Sequence, residues 1–323
     1  MNNVKKIDST QLAVLEQLIA AIGQALLGKQ TQIKLALTCI LASGHLLIED
    51  LPGMGKTTLA HAIADVLGLR YNRVQFTSDL LPTDLLGVSI FNRTEQNFEF
   101  HRGPIFTQLL LADEINRTTP KTQSALLEAM EEGQVSIEGA TYELPSPFFV
   151  IATQNPSHNS GTYPLPESQL DRFMMRIQLG YPSREAELHM LRSVSNHVGA
   201  RNRSNSSRVK LSALVNQEQL ESLQDKAASV VVSDHLLDYL QRLIQFSRED
   251  NAFKFGISPR GSMALLCAAK AWAFLENRNY LLPEDVQQVF VAVIGHRLVG
   301  AASDQATGTL AEYILAQVDV LYE

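Results

Sequence analysis

One glycine-rich stretch, EDLPGMGKTTLA at residues 49–60, constrains the fold more than any other feature of the sequence. It follows a short apolar run at 45–48, typical of a strand buried in a parallel sheet, and leads into residues 57–67, whose apolar positions have helical spacing. Gly53 and Gly55 carry no Cβ, so the backbone can turn sharply there and aim consecutive N–H groups at an anion. The pattern therefore predicts a strand–loop–helix unit that cradles a phosphate.

The end of this loop suits a nucleoside triphosphate and its metal ion. Lys56 can reach the β- and γ-phosphates, and the hydroxyl of Thr57 can be a ligand of Mg²⁺. One position departs from the usual G-x-x-x-x-G-K-S/T pattern, because Asp50 stands where the first glycine is expected. Taken alone, the stretch could still be an ordinary strand–turn–helix with a surface lysine. The residues expected to contact the nucleotide are Asp50, Pro52, Gly53, Met54, Gly55, Lys56, Thr57 and Thr58.

A second stretch, QLLLADEINR at 108–117, runs from an apolar strand directly into two carboxylates. On its own, an acidic pair after a strand is usually a solvated helix cap. Downstream of a phosphate loop, the first carboxylate can hold Mg²⁺ and the second can orient or deprotonate the attacking water. We therefore expect Asp113 to join Thr57 at the metal, and Glu114 to act as the base.

Two further polar residues occupy positions that suit an anion. The apolar run 148–153 indicates a strand buried on both faces, and ligands bind at the carboxyl edge of such sheets. Asn155 just beyond it can orient water beside a γ-phosphate, although a turn-forming asparagine before a proline is the alternative. Arg260 begins a predicted helix, where its charge opposes the helix dipole and hints at an external anion.

Length and pattern predict two domains. At 323 residues the chain is long enough for about two domains, and the alternation of strands and helices stops near Pro182. We predict an α/β domain at 1–181, with N-terminal helices and two inserted β-hairpins, and an all-α domain at 182–323. The predicted helices outside the nucleotide loop are 9–22, 30–41, one that Thr119 caps and that ends before Gly133, 236–246, 259–275 and 283–294. The predicted hairpins are 88–100 and 134–144, the second with its turn at Gly139-Ala140, and 196–210 is interpreted as a connection.

Composition and charge restrict the expected cellular location and the expected classes of binding partner. No apolar run approaches the roughly 18 residues of a membrane span, and the N-terminal 28 residues are unlike a secretory signal. We therefore expect a cytoplasmic protein. A net charge of −7 provides no general basic field for nucleic acid, although it leaves room for a local basic groove. Cys39 and Cys267 form no spaced pair and lie in apolar, helix-like segments, which indicates small core residues.

Taken in order, these motifs resemble those of an AAA+ ATPase, and more narrowly of a MoxR-family protein. The resemblance is nearly continuous over 45–175, where it includes LLLADEINRTTPKTQSALLEAMEE, FFVIATQNP and LDRF. It is weaker in the GISPRGS and HRL segments of the helical part. Aspartate in place of the first loop glycine is common in this family. The resemblance implies an AAA+ P-loop NTPase core with a parallel sheet and inserted β-hairpins, followed by an all-α lid.

The resemblance also implies ATP and Mg²⁺ as cofactors and assigns roles to residues. Lys56 and Thr57 would bind the phosphates and the metal, with Asp113 at the metal and Glu114 activating water. Asn155 would be the first sensor.

Two arginines are assigned by the same resemblance. Arg172 would be the finger that enters a neighbouring subunit's site, while pairing with Asp171 or Glu167 is its structural alternative. Arg260 would be the second sensor, reaching the γ-phosphate from the lid. The active site would then lie between subunits of a ring, generally of six.

The implied function is chaperone-like remodelling that matures metal- or cofactor-dependent complexes, often with a von Willebrand A-domain partner. The insert near 82–103 and the hairpin near 134–147 would face the client or partner. Three alternatives stay open: a DNA or RNA motor related to the minichromosome maintenance helicases, a magnesium-chelatase ATPase subunit, and a nucleotide-gated scaffold with little turnover. Against the motor, the second hairpin segment carries Glu138 and Glu143 and no Lys or Arg.

Overall fold

The computed structural model describes residues 9–155, 162–196, 211–301 and 307–320. The helices are α1 (Ser9–Ala25), α2 (Gln30–Leu41), α3 (Lys56–Val66), α4 (Pro82–Leu86), α5 (Pro120–Glu132), α6 (Glu167–Leu170), α7 (Arg184–Asn196), α8 (Gln217–Ala228), α9 (Asp234–Glu249), α10 (Pro259–Leu275), α11 (Pro283–Ile294) and α12 (Thr307–Gln317). The strands are β1 (Leu46–Glu49), β2 (Tyr71–Gln75), β3 (Gly87–Asn92), β4 (Asn97–Arg102), β5 (Leu109–Asp113), β6 (Gln134–Ile137), β7 (Ala140–Glu143), β8 (Phe149–Gln154), β9 (Met175–Ile177), β10 (Phe253–Phe255) and β11 (Val299–Gly300).

The centre of the protein is a five-stranded parallel sheet with the order β2-β5-β8-β1-β9. Every residue of β5 and β8 is buried, as expected for parallel strands that are covered on both faces. Side chains alternate along β1, so that Leu46 and Ile48 join one part of the core and Leu47 joins the other. The predicted α/β core with a parallel sheet is confirmed.

The register of the sheet brings several strand ends to one edge. Gln75 at the end of β2 is paired with Asp113, and Glu49 at the end of β1 is paired with Gln154. The loop that leaves β1 therefore emerges beside the carboxyl ends of β8 and β5, where ligands bind in open parallel sheets.

Both predicted hairpins are present as antiparallel pairs, β3–β4 and β6–β7. Phe100 of the first hairpin stacks on Tyr142 of the second, with ring centroids 4.1 Å apart. The turn of the second lies one residue earlier than predicted, because Glu138 and Gly139 both adopt left-handed backbone conformations. The short α4 before the first hairpin was not predicted, since five residues are too few for a periodic signal.

The part of the chain after α7 is mainly helical, as predicted for the lid. Helix α10 packs against α11, α8 and α2, so the lid shares one continuous apolar core with the N-terminal helices. It also contains the short antiparallel ribbon β10–β11, which the all-α prediction omitted. Within the described ranges, no helix combines the length and the apolar composition needed to cross a membrane.

Several local predictions need correction. Helix α1 continues through Gly23 and ends at Ala25. Thr119 occupies the N-cap position of α5, but its hydroxyl accepts no hydrogen bond from the helix backbone. Cys39 is buried as expected, whereas Cys267 lies on the exposed side of α10. Most of the predicted connection, 197–210, lies outside the described residues.

Replacing Gly23 with alanine should stabilise the protein. The residue lies inside α1, and a Cβ there would meet no atom within 4 Å. Gly23→Ala should raise the free energy of unfolding by roughly 0.5–1 kcal/mol, because glycine loses more backbone entropy on folding than alanine does. Denaturant unfolding monitored by circular dichroism measures the change.

The matched control is Gly103→Ala at the base of the first hairpin. Its Cβ would lie 2.3 Å from the carbonyl oxygen of Leu85, so this variant should be less stable than the parent. A Gly23→Ala protein that unfolds at lower denaturant than the parent would contradict a helix that continues through residue 23.

Candidate functional site

The loop between β1 and α3 has the backbone of a phosphate cradle. Gly53 and Gly55 have φ angles of 87° and 95°, in the left-handed region that favours glycine. Gly55 is the N-cap of α3. A Cβ on Gly55 would lie 2.8 Å from Cδ1 of Leu26, so close packing also restricts this position. The positive end of α3 and the preceding N–H groups together suit an anion.

The side chain of Asp50 holds the start of the loop through hydrogen bonds to three backbone N–H groups. Its Oδ2 accepts hydrogen bonds from the backbone N–H groups of Leu179 (2.7 Å) and Gly180 (2.6 Å), which follow β9. Its Oδ1 accepts one from the N–H of Leu51 at 2.9 Å. The carboxylate is thus engaged by the protein itself, which accounts for an aspartate at a position where glycine is usual and indicates a bracing role instead of direct contact with nucleotide.

Lys56 extends across the loop toward the strand ends. Its Nζ donates to the carbonyl oxygen of Asp50 at 2.6 Å and to Oδ1 of Asn155 at 3.2 Å. Burial lowers the pKa of Lys56, and the charges of Asp113, Asp50 and Glu114 act in the opposite direction. Lys56 is therefore held beside the loop by a backbone carbonyl oxygen and a side-chain amide oxygen, and its hydrogen bonds here do not involve a carboxylate.

Asp113, at the end of β5, is oriented by groups on the strands at either side. Thr153 of β8 donates its hydroxyl to Oδ1 at 2.6 Å, and Arg73 of β2 approaches Oδ2 at 2.6 Å. The hydroxyl of Thr153 also accepts the backbone N–H of Glu114 at 2.9 Å. One buried threonine therefore fixes both consecutive acidic residues.

Glu114 is held by three side chains in a left-handed backbone conformation, with φ 58° and ψ 49°. Its Oε1 accepts from Nδ2 of Asn155 at 3.1 Å, and its Oε2 accepts from Gln75 at 2.9 Å and from Arg117 at 2.8 Å. A left-handed conformation is uncommon for glutamate and persists where the surroundings enforce it, which is frequent at functional sites.

These groups surround one polar cavity of about 380 Å³, a size within the range of small-molecule sites. A triphosphate fits the glycine loop and Lys56. The donor set suits Mg²⁺, which usually takes one or two carboxylates together with substrate phosphates instead of an all-protein cage. In the described ranges, no cluster of three or more His, Cys, Asp or Glu forms such a cage. The lining residues are Pro52, Gly53, Gly55, Lys56, Thr57, Thr58, Arg73, Gln75, Asp113, Glu114 and Asn155.

Arg172 and Arg260 do not line this cavity; they lie at the amino edge of the sheet, where both contact Glu131. Arg172 Nε is 3.0 Å from Oε2 of Glu131, and Arg260 Nη2 pairs with Oε1. The carbonyl oxygen of Met130, the preceding residue, lies 3.1 Å from Nε2 of His45, immediately before β1. This contact fixes the end of α5 at the amino ends of the strands, opposite the phosphate loop.

The pairing of Arg172 differs from the structural alternative considered for it. Its ionic partner is Glu131 of α5 and not Asp171 or Glu167, since Asp171 is bound by Arg297 at 2.6 Å. Of the sequence-predicted residues, the loop, Asp113, Glu114 and Asn155 come together, whereas the two arginines form a separate group.

Sequence reasoning missed several residues that organise the site. Arg73 and Gln75 share one face of β2 at its carboxyl end, and this alternation of polar residues was the available signal. Thr153 is the last residue of the predicted strand 148–153, but the sequence pattern assigned no role to its hydroxyl. The contacts of Arg117 and Glu131 depend on tertiary packing and had no signal in the spacing of motifs.

Comparison with known proteins places the chain in a family. The model of the ATPase family associated with various cellular activities (AAA) matches residues 45–175, and that of the AAA lid domain matches residues 245–317. The uncharacterised Bacillus subtilis protein YeaC is 42% identical over 307 residues, 94% of this chain and 93% of that protein.

Two further matches also extend over most of the chain. Chaperone MoxR1 of Mycobacterium tuberculosis is 38% identical over 300 residues, 90% of this chain and 77% of that protein. A crystal structure from Cytophaga hutchinsonii, whose protein is named for an expected ATPase activity, superposes with a TM-score of 0.85 at 37% identity and covers 96% of each chain. With these matches spanning the phosphate loop, the acidic strand end and the helical lid, the chain belongs to the MoxR group of AAA+ proteins and is an ATPase.

Proposed function

We propose that this ATPase uses ATP hydrolysis to remodel or mature protein complexes in the cytoplasm, and that it works as a ring together with a von Willebrand A-domain protein. The name of the relative MoxR1, a chaperone, supports a protein client. The observation that carries the proposal is the convergence of Lys56, Asp113, Glu114 and Asn155 on one polar cavity.

The positions of the groups around this cavity support a separate role for each of them. The N–H groups of the glycine loop and Lys56 bind the phosphates. Thr57 and Asp113 would hold Mg²⁺, which when bound supplies positive charge at the phosphates. Glu114 accepts a proton from the attacking water, and Asn155, 3.1 Å from Glu114 and 3.2 Å from Lys56, orients that water.

The ring is supported by the position of the two arginines. Arg172 and Arg260 have side chains 29% and 45% exposed and lie at the sheet edge opposite their own phosphate loop. Because they are remote from the cavity in their own chain, both can serve a triphosphate only if it is bound by a neighbouring copy. We propose that this paired group completes the neighbour's site, with a six-membered ring as the assembly.

The two-domain division accompanies this proposal. We assign residues 1–181 to the nucleotide-binding α/β domain and residues 182–323 to the helical lid. The last strand of the sheet ends at Ile177 and the next helix begins at Arg184, which supports a boundary between them.

The first hairpin is the proposed contact with a partner or client. Its apolar side chains Ile90, Phe91 and Phe98 are 50%, 48% and 71% exposed, although Phe100 is covered by Tyr142 of the second hairpin. Exposed aromatic and aliphatic groups of this kind anchor protein interfaces. Phosphate contacts supply most non-specific nucleic-acid affinity, and the adjoining second hairpin carries carboxylates, so we expect no appreciable nucleic-acid binding.

Glu114→Gln should retain nucleotide affinity and lose turnover by about 10²-fold or more, because it removes the base and preserves side-chain size. Lys56→Ala should lose nucleotide affinity as well, since it removes the phosphate-binding cation. Titration with a fluorescent ATP analogue and measurement of phosphate release distinguish the two effects.

Thr94→Ala in the turn of the first hairpin is the control for these variants, and it should bind and hydrolyse ATP like the parent. Hydrolysis at the parent rate by Glu114→Gln would reject its role as the base. Low turnover in the parent ring would favour the nucleotide-gated scaffold.

Arg172→Ala should bind ATP but lose turnover by on the order of 10³-fold, because an arginine finger stabilises the charge of the transition state. Mixing Arg172→Ala with Glu114→Gln subunits places intact Arg172 groups beside intact Glu114 sites, so activity should return. Phosphate release by the mixture, with native mass spectrometry to demonstrate mixed rings, measures this recovery. Mixed rings without recovery would show that Arg172 does not act across the interface.

Replacing Phe91 and Phe98 with alanine should abolish capture of a von Willebrand A-domain protein by ATP-bound rings and leave turnover intact. Both phenylalanine side chains are exposed, so their removal should lower the stability of the fold only slightly. The matched control is Phe255→Ala on the lid, where a phenylalanine is 54% exposed. Capture measured by co-sedimentation should survive in the control. Unchanged capture in the double variant, or tight salt-sensitive DNA binding by the parent, would contradict the proposal.

A further inference from the structure

Arg297 is an almost fully buried arginine to which the roles assigned so far, at the phosphate cavity and at the Arg172–Arg260 pair, give no function. It follows α11 in the lid, and its side chain is 3% exposed. Burial of a guanidinium is costly unless its donors are satisfied. Burial lowers the pKa of Arg297, and the hydrogen bond and charge of Asp171 oppose that shift.

All five N–H donors of this guanidinium have an acceptor. Nε donates to Oδ1 of Asp171 at 2.6 Å, and Nη2 donates to the carbonyl oxygens of Asp171 (3.1 Å) and Phe173 (2.7 Å). Nη1 donates to the carbonyl oxygen of Met174 at 3.0 Å and to that of Val293. Four of the five acceptors therefore belong to residues 171–174, the short segment that contains Arg172.

Arg297 also contacts the segment that carries Arg260. A Cβ added to Gly261 would lie 3.0 Å from Cδ of Arg297, so the glycine next to Arg260 leaves the space through which the buried side chain passes. The N-cap residue of α10, Ser258, donates its hydroxyl to Oδ2 of Asp171 at 3.2 Å. The guanidinium thus lies between the two segments, with Asp171 in contact with both.

Together with Glu131, this arrangement fixes the arginine pair from two sides. Glu131 holds the charged ends of Arg172 and Arg260 at the surface, while Arg297 holds the backbone beneath Arg172 and packs against the first turn of α10. Lysine cannot replace this contact, because its three donors radiate from one atom and cannot reach acceptors distributed around a planar fork.

We propose that Arg297 is a positioning residue for the Arg172–Arg260 pair and thereby sets the activity of the neighbouring subunit's ATP site. The inference rests on the proposed role of Arg172 across a subunit interface. Its distinctive consequence is directional: a change at Arg297 leaves the chain's own phosphate cavity intact and impairs the site of the next subunit.

The test uses full-length rings containing Arg297→Lys, which keeps the positive charge and removes the fork. Turnover should fall roughly 10- to 100-fold, the range expected when a catalytic group is displaced by about 1 Å, while affinity for an ATP analogue stays within about threefold. Mixed with Glu114→Gln subunits, Arg297→Lys subunits should regain turnover, because their own sites meet intact arginines. Mixed with Arg172→Ala subunits they should not, because neither partner supplies a positioned finger.

Arg278→Lys is the matched control. Arg278 is also a lid arginine, but its guanidinium pairs with the buried Asp285 and donates to the carbonyl oxygen of Tyr280, away from residues 171–174. It should retain parental turnover. Asp171→Asn is the second variant, used alongside Arg297→Lys and decisive if that protein does not assemble: it keeps an acceptor for Nε, removes the charge, and should show the same recovery pattern with a smaller loss.

The outcomes separate this inference from the proposed function. Recovery with Arg172→Ala instead of Glu114→Gln subunits would place the defect in the variant's own site and overturn the inference. Parental turnover in both assembled variants would do the same. Failure of the Arg172→Ala and Glu114→Gln mixture to recover would overturn the role of Arg172 itself, and the inference with it; recovery in that mixture alone would overturn only the role of Arg297.

Discussion

The backbone turn between β1 and α3 is the constraint on which the rest of the site depends. A triphosphate must be met by several N–H groups at once, and only a loop with left-handed glycines such as Gly53 and Gly55 aims them together. The loop is held on both flanks: the carboxylate of Asp50 accepts N–H groups from beyond β9, and its carbonyl oxygen accepts Lys56. Since β1 lies between β8 and β9, the cradle is fixed to an interior strand of the sheet.

The acidic strand end is positioned by β8, the strand that lies between β5 and β1. Thr153, at the end of β8, touches Asp113 and Glu114 simultaneously and so sets the distance between the carboxylates and the strand that neighbours the loop. Gln75, Arg117 and Asn155 then restrict the carboxylate of Glu114. A carboxylate with this many donors is already oriented in the free protein, which is the pre-organisation that general-base chemistry requires.

The charged residues proposed to act in hydrolysis lie at two opposite edges of the sheet. Acceptors and the loop lysine lie at the carboxyl edge, and the arginines held by Glu131 lie at the amino edge. The lid reaches the second edge through buried polar contacts: Arg297 binds 171–174, and His296, kept neutral because burial lowers its pKa, lies 3.0 Å from the carbonyl oxygen of Phe173. The lid is therefore joined to the segment that carries Arg172 by direct buried contacts.

The sequence by itself determined the phosphate loop, the parallel core, both hairpins and the ends of α10 and α11. Each of these is a local matter, since glycine conformations, apolar runs and proline at a helix start act within a few residues. Only the tertiary structure decided which charges meet. The family resemblance assigned Arg172 to a neighbouring subunit's site and Arg260 to the γ-phosphate, but only the packing of α5 and the lid shows that both arginines meet at Glu131 on the opposite edge. Contacts between residues more than a hundred positions apart, such as Arg297 with Asp171, depend on how helices pack on the sheet, and no local pattern encodes that geometry.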